Sequence, residues 1–168
     1  MWRDLTAYTQ KLSSDALRAA EAEVFFEGTL ENIPWSNALD DALRDSRAYA
    51  EYGFVYIIEE VGGEMQSTFE AFKKFKRENR EYSLPKANTA NRILYFGSSH
   101  SLKSRLNQHL AGNRSSTYAL KLNAWFLDRK YRVYIRQYAV SREVIQIIED
   151  GTALALQPAF GKRGGNGR

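Results

Sequence analysis

The sequence predicts an α+β fold in which a small mixed sheet of about three strands is flanked by helices, with a helical accessory segment at the N-terminus. Three apolar runs of strand length, residues 53–58, 92–96 and 131–140, predict the sheet. Segments with apolar residues at helical spacing lie before, between and after these runs, and they predict the helices. Hydrophobic residues make up 43% of the 168, which is enough to form a buried core.

Composition excludes several kinds of site. The chain has no cysteine, which removes disulfides, thiolate metal sites and thiol catalysis. Two histidines are too few for a histidine-rich metal centre. The sequence has no apolar run as long as a membrane span, and its first residues lack the apolar stretch of a secretory signal. We therefore expect a cytoplasmic protein that does not contact a membrane.

Charge divides the chain into two parts, residues 1–50 and residues 51–168. The first part carries 5 Lys and Arg against 9 Asp and Glu, whereas the second carries 19 against 11. A basic part beside an acidic one indicates a surface for a polyanion, and the alternative is a face that only keeps the chain soluble.

Residues 1–50 are predicted to form two accessory helices, over residues 5 to about 27 and 36 to about 49. Pro34 separates them, because proline disfavours helical backbone in the residue before it. Residues 51–168 are predicted to form one domain, with a basic insertion at about residues 62–91.

The insertion is predicted to contain a basic helix. Ser67 and Glu70 have the spacing of a capping box, and Phe69, Phe72 and Phe75 follow at helical spacing. Beyond the insertion, the pattern predicts helices over residues 101–110 and 116–127. It also predicts a last helix that begins after residue 141 and runs toward residue 158.

Arg105 and His109 lie one turn apart on the predicted helix over residues 101–110, about 40° apart on one face. The planar guanidinium of arginine matches two phosphate oxygens, so this face suits a phosphate ligand. The alternative is that both side chains belong to a solvated basic face.

Glu149 follows an isoleucine-rich stretch of the last helix, where an ionised carboxylate is costly unless it is paired or binds a metal. One carboxylate, completed by water and a substrate phosphate, is a normal way to hold Mg²⁺. Two alternatives stay open: Asp150 is the inward acid, or both acids belong to the solvent face of an amphipathic helix.

The order of these pieces resembles the GIY-YIG nuclease domain. The stretch LYFGSSHSLKSRLNQHL resembles the family's central signature, Tyr-x-Gly-Ser/Thr followed by Arg and His one turn apart. The stretch IIEDGTALALQPAFGKRGGN resembles its closing signature, in which an inward Glu precedes an apolar helix, a Pro and an Asn-bearing loop. The resemblance covers about residues 53–166, and the layout is closest to stand-alone restriction-type members with a long insertion.

Three features depart from the family pattern. The first motif is Gly-Phe-Val-Tyr rather than Gly-Ile-Tyr, and the second has Phe96 where Ile or Val is usual. The interval between Tyr56 and Tyr95 is far longer than the hairpin of the minimal domain. The long interval affects the pairing of the hairpin and not the site.

The resemblance implies a catalytic set made of Tyr56, Tyr95, Arg105, His109, Glu149 and Asn166. Tyr56 would deprotonate the attacking water, with its pKa lowered by neighbouring cations and with His109 as the acceptor that helps it ionise. Arg105 would neutralise a phosphate oxygen. Glu149 would hold a single Mg²⁺, for which Mn²⁺ could substitute. Tyr95 would orient the phosphate or water, or is instead a core aromatic, and Asn166 would brace the site.

The implied partner is double-stranded DNA. The basic residues expected to contact it are Lys73, Lys74, Lys76, Arg77, Arg80, Lys103, Lys162 and Arg163. The implied activity is Mg²⁺-dependent endonucleolytic hydrolysis of DNA, with a restriction or defence role. The alternatives are a non-cleaving or structure-selective DNA-binding module of the same fold, and an RNA-directed or toxin nuclease. With one metal site per chain, double-strand cleavage would require a homodimer or two successive nicks.

Overall fold

The computed structural model describes residues 2–19, 24–30, 53–110, 117–138 and 140–163. Along these residues the chain forms, in order, α1 (Trp2–Ala19), β1 (Val24–Leu30), β2 (Gly53–Val61), α2 (Met65–Glu78), β3 (Ile93–Ser99), α3 (Leu102–Leu110), α4 (Leu122–Trp125), β4 (Lys130–Tyr138) and α5 (Arg142–Leu156). The predicted α+β class is confirmed. No helix in these ranges is long and apolar enough to cross a membrane.

The strands form one antiparallel sheet in the order β1-β4-β2-β3. β2 pairs with β3 on one side and with β4 on the other, and β1 pairs with β4. The three predicted strands are confirmed, but the expectation of a mixed sheet is wrong. An apolar run indicates that a strand is buried and says nothing about its direction, so the sequence could not distinguish the two arrangements.

Helices pack on both faces of the sheet and divide the core in two. The larger cluster contains Tyr56, Ile58 and Leu94, together with buried side chains of α2, α3 and α4. The smaller cluster contains Val55, Phe96 and the inward side of α5. Because side chains alternate along a strand, Tyr56 faces the larger cluster and Val55 faces α5. The central strand β2 is therefore apolar on both faces, which explains its continuous apolar run.

The basic helix of the insertion, α2, begins two residues earlier than predicted. The carboxylate of Glu64 accepts the backbone N–H groups of Gln66 and Ser67 at 3.0 and 2.6 Å, so Glu64 is the N-cap. Ser67 lies in the first turn, and the capping box predicted there is wrong. A glutamate can cap a helix when it folds back on the first turn, and the favoured spacing of Ser67 and Glu70 concealed it.

Aromatic packing anchors α2 to the rest of the domain. Phe72 is fully buried, with its ring centroid 4.0 Å from that of Phe160 and 5.1 Å from that of Trp125. Phe69 stacks on Phe160 at 5.8 Å. The insertion therefore belongs to the main core.

The prediction for the N-terminal segment is partly wrong. The helix α1 ends at Ala19, and residues 24–30 form strand β1 instead of the end of a helix that reaches residue 27. The run Val24-Phe25-Phe26 is β-branched and aromatic, so it suits a strand once β4 offers a partner. The helix predicted over residues 36–49 lies outside the described residues.

The helix predicted over residues 116–127 is also wrong across most of its described length, where only the single turn α4 is helical. Lys121, immediately before that turn, has a left-handed backbone with φ 58°. A right-handed helix cannot continue through this conformation. Residues 111–116 lie outside the part that the structure describes. The helices predicted over residues 101–110 and after residue 141 are confirmed as α3 and α5.

Residues 157–163, called the C-terminal strap below, run from the end of α5 along β3. The backbone N–H of Ala159 donates to the Ile93 carbonyl at 2.8 Å. The side-chain amide of Asn88 donates to the carbonyls of Pro158 and Gly161 at 3.0 Å each. These bonds fix the strap beside the second tyrosine motif.

Candidate active site

Tyr56 and Tyr95 lie side by side. In the pairing of β2 with β3, Tyr56 is opposite Gly97 and Tyr95 is opposite Ile58, so both tyrosines project from one face of the sheet. Their rings stack with centroids 6.1 Å apart and planes 14° apart. Tyr56 is 1% exposed, whereas Tyr95 is partly exposed. The two motifs that are distant in sequence therefore meet across one strand pair.

Gly97 makes room for the two rings. A Cβ at this position would lie 2.8 Å from Oη of Tyr56 and 2.9 Å from Cε1 of Tyr95. Both rings are packed against other side chains, so neither can move away easily. Glycine is needed here because the backbone approaches the phenols closely.

Arg105 joins the two phenols. Its Nε–H donates to Oη of Tyr56 at 3.1 Å, and its Nη2 donates to Oη of Tyr95 at 3.0 Å. Nη2 also donates to the Tyr118 carbonyl at 2.8 Å, and Nη1 donates to Oε1 of Gln108 at 3.0 Å. Partners within the described ranges thus accept four hydrogen bonds from the guanidinium. Arg105 holds both hydroxyls in place, so the alternative of a merely solvated basic face is wrong.

His109 is fully buried, and its two ring nitrogens have different partners. The backbone N–H of Leu120 donates to Nδ1 at 3.2 Å, so Nδ1 carries no proton. Burial, followed by the charges of Arg105 and Lys121, holds the pKa of His109 well below its usual value, and the ring is neutral. Its one proton therefore lies on Nε2, which donates to Oη of Tyr56 at 3.0 Å. The predicted partnership is present, but His109 is the donor and not the expected acceptor.

The oxygen of Tyr56 thus accepts hydrogen bonds from both Arg105 and His109. Burial nevertheless raises the pKa of Tyr56 above its usual value, and the electrostatic effects of Tyr95 and Glu149 raise it further, while Arg105 lowers it. The causes that raise the pKa outweigh Arg105. The expectation that neighbouring cations lower the pKa of Tyr56 is therefore wrong for the protein alone. Desolvation of the phenolate raises this pKa more than one guanidinium lowers it.

Glu149 faces inward from α5 toward the end of β3. The residue is 9% exposed, and the Ser98 hydroxyl donates to its Oε2. The ammonium of Lys162, in the C-terminal strap, lies 3.4 Å from Oε1. Asp150 is more exposed, with 29% of its side chain accessible, so Glu149 is the inward acid of the pair.

The surroundings of Glu149 fit a divalent cation. The carboxylate is buried and is paired with a cation, Lys162, so a positive charge is already accommodated at this position. The ranges that the structure describes contain no cluster of three or more acidic or histidine side chains suited to a metal. Mg²⁺ does not need such a cluster, because it commonly takes one or two carboxylates and completes its shell with water and substrate phosphate.

The basic residues predicted on the insertion differ in what their side chains do. Lys74, Arg77 and Arg80 are exposed on or just after α2. Lys76 donates to the Pro85 carbonyl at 2.7 Å and so closes the loop that follows the helix. Lys73 pairs with a glutamate one turn earlier at 3.1 Å. Lys74, Arg77 and Arg80 therefore form the exposed basic part of the insertion.

The remaining predicted contacts lie nearer the site. Lys162 pairs with Glu149, and Arg163 donates to the Thr89 hydroxyl. Lys103 is partly buried on α3. Asn166 lies outside the described residues.

Sequence reasoning missed three groups that shape the site. Ser98 follows the tyrosine–glycine motif and could have been proposed from its place in the signature. Gln108 precedes His109 and gave no separate signal. The backbone N–H of Leu120 fixes the histidine tautomer, and a backbone group leaves no pattern in a sequence.

The family model described as the GIY-YIG catalytic domain matches residues 52–152, which is more than half of the chain. The matched range includes both tyrosines, Arg105, His109 and Glu149. Neither the curated proteins nor the solved structures gave a match.

Proposed function

Since the chain belongs to the GIY-YIG family and has its nuclease-type fold, we propose that it is a metal-dependent endonuclease that hydrolyses double-stranded DNA. One observation supports this activity above the others. The buried oxygen of Tyr56 accepts N–H groups from Arg105 and His109. Gly97 lies beside this oxygen and leaves open the space that a side chain would fill. Two donors aimed at one phenol oxygen stabilise the phenolate more than the phenol.

In this proposal Tyr56 is the general base. The phenolate takes a proton from the attacking water as the new O–P bond forms, and the bond from phosphorus to the 3′ oxygen breaks. The leaving oxygen is protonated by solvent. Because burial keeps Tyr56 protonated in the protein alone, its phenolate form must be favoured by positive charge that arrives with the substrate complex.

Arg105 and Tyr95 would hold the phosphate. The Tyr95 oxygen accepts from Arg105, so its own O–H can donate to a phosphate oxygen. Arg105 keeps its charge within hydrogen-bond distance of both phenol oxygens, and so beside the position where a phosphate held by Tyr95 would gain negative charge in the transition state. Its role is then electrostatic stabilisation with a geometry set before substrate binds.

Glu149 is the residue that would hold Mg²⁺, or Mn²⁺ in its place, with Ser98 orienting the carboxylate through Oε2. When bound, the ion supplies Lewis acidity at the scissile phosphate and the leaving oxygen. The chain itself supplies the buried carboxylate, which lies close enough to Tyr56 for its charge to raise the pKa of that phenol.

The test is incubation of the purified protein with supercoiled plasmid, with Mg²⁺ or with EDTA. We expect nicked or linear product only with the metal, far less product from Tyr56→Phe, and none from Glu149→Gln. Discrete fragments would indicate a restriction-type enzyme, and a smear would indicate a nonspecific nuclease. Cleavage of RNA but not DNA, or equal cleavage in EDTA, would contradict the proposal.

A further inference from the structure

The carboxylate of Glu149 already forms an ion pair with a lysine of the same chain. The ammonium of Lys162 lies 3.4 Å from Oε1 of Glu149 and 4.0 Å from Oδ1 of Asp150. The other oxygen of Glu149 accepts the Ser98 hydroxyl. Both oxygens of the proposed metal-binding carboxylate are therefore engaged, one by a dipole and one by a full positive charge.

The two partners of this ion pair differ in accessibility. The side chain of Glu149 is 11% exposed, whereas that of Lys162 is 52% exposed. Lys162 can therefore swing its ammonium into solvent while the carboxylate stays where α5 holds it. The side chain of lysine is long and flexible, so this movement needs no change in the backbone.

The backbone beneath Lys162 is fixed. The Gly161 N–H donates to the Lys86 carbonyl at 2.8 Å, and the Gly161 carbonyl accepts the Asn88 amide at 3.0 Å. Gly161 has φ +94°, and a Cβ there would lie 2.8 Å from the Tyr95 ring. The strap thus passes directly beside Tyr95, and Lys162 is the residue that follows Gly161.

A divalent cation and an ammonium compete for the same oxygen. Both are attracted to Oε1 of Glu149, and they repel one another at close range. Binding of the metal must therefore displace Lys162. A phosphate placed beside Tyr95 offers the displaced ammonium a new partner of opposite charge.

We propose that Lys162 couples metal binding to DNA binding: it occupies Glu149 in the free chain and moves to a DNA phosphate when substrate arrives. This inference rests on the proposed function and names a positioning residue within it. Linkage is reciprocal, so DNA that draws Lys162 away raises metal affinity, and metal raises DNA affinity by the same factor. The chain would then hold its metal more tightly when DNA is present.

The experiment measures Mn²⁺ binding by electron paramagnetic resonance, with and without a short DNA duplex, in a Tyr56→Phe background that prevents cleavage. The test variant is Lys162→Met. Its matched control is Lys86→Met, which removes the same charge from an exposed side chain near the strap. Partly exposed ion pairs are weak, so we expect the Lys162→Met protein without DNA to bind Mn²⁺ about twofold to fivefold more tightly. The Lys86→Met protein should match its parent.

With the duplex present, the parent should gain affinity for Mn²⁺, and Lys162→Met should gain less. Unchanged Mn²⁺ affinity in the Lys162→Met protein without DNA, or an equal change in the Lys86→Met protein, would overturn the coupling. A Glu149→Gln variant separates this failure from failure of the proposed function. If Glu149→Gln binds Mn²⁺ as well as its parent does, the metal assignment itself is wrong.

Discussion

Removing one oxygen atom from Tyr56 tests the proposed chemistry most directly. Tyr56→Phe keeps the ring in its stack with Tyr95 but deletes the acceptor of two hydrogen bonds. A general base contributes about 10²–10⁴-fold to a rate, so cleavage measured in single turnover should fall by at least that range. The variant should still bind DNA, because the lost group is buried and uncharged in the protein alone.

The same change should also lower stability. His109 is fully buried, so its Nε2–H would lose its acceptor with no solvent to replace it. An unsatisfied buried donor costs about 1–3 kcal/mol. For a chain of this size that corresponds to roughly 2–4 °C of Tm per kcal/mol. The cleavage assay must therefore run well below the Tm of the variant. Differential scanning calorimetry measures this Tm.

Tyr131→Phe is the matched control. The Tyr131 hydroxyl is also buried, yet no group in the described ranges partners it, and burial raises the pKa of Tyr131 to about 12. Deleting this hydroxyl should leave cleavage unchanged and stability equal or slightly higher. Near-parental cleavage by Tyr56→Phe would refute the general-base role. His109 could not simply replace it, because the Leu120 N–H occupies Nδ1, and the proton on Nε2 leaves that nitrogen without a lone pair to accept another.

Four further predictions follow from the same contacts. Glu149→Gln should abolish cleavage while DNA affinity, measured by fluorescence anisotropy, holds or rises, because a negative charge near the phosphate is removed; Mg²⁺-dependent cleavage at the parental rate would contradict this. Neutralising Lys74, Arg77 and Arg80 together should weaken DNA binding and flatten its dependence on salt by about one released counterion per lost contact; an unchanged slope would assign this face to solvent. The lowered pKa of His109 means that the unfolded chain binds a proton more readily, so stability should fall as pH drops below 6.5. ¹⁵N NMR should show the Nε2–H tautomer of His109 at neutral pH, and an Nδ1–H signal would contradict the donor assignment.

The sequence predicted those elements whose own residues carry a recognisable pattern. The run 53–58, the alternation in 131–138 and the leucine stripe of α3 each repeat with the period of their element, and each is confirmed. Strand β1 was missed because its residues suit a strand only when β4 is beside them. Strand direction was missed for a related reason, since pairing is a property of two segments and neither segment encodes it alone.

The candidate site divides in the same way. The family resemblance, which rests on residue identities and their order, implied which side chains would meet, and Tyr56, Tyr95, Arg105 and His109 do meet. Charge states were predicted less well. The sign of the Tyr56 pKa shift depends on how deeply the phenol is buried, and the direction of its bond to His109 depends on a backbone N–H eleven residues further along.

These two errors point to one property of the site. If its neighbours lowered the pKa of Tyr56 in the free protein, the phenol would ionise more readily before metal or DNA bound. Here burial and the carboxylate of Glu149 keep Tyr56 protonated, and Lys162 shields that carboxylate. Replacing Lys162 by a divalent charge at Glu149 would reverse the sign of the local field, turning a group that raises the pKa of Tyr56 into a centre that lowers it. If Lys162 leaves only when DNA arrives, the base becomes competent where a scissile phosphate is already in place.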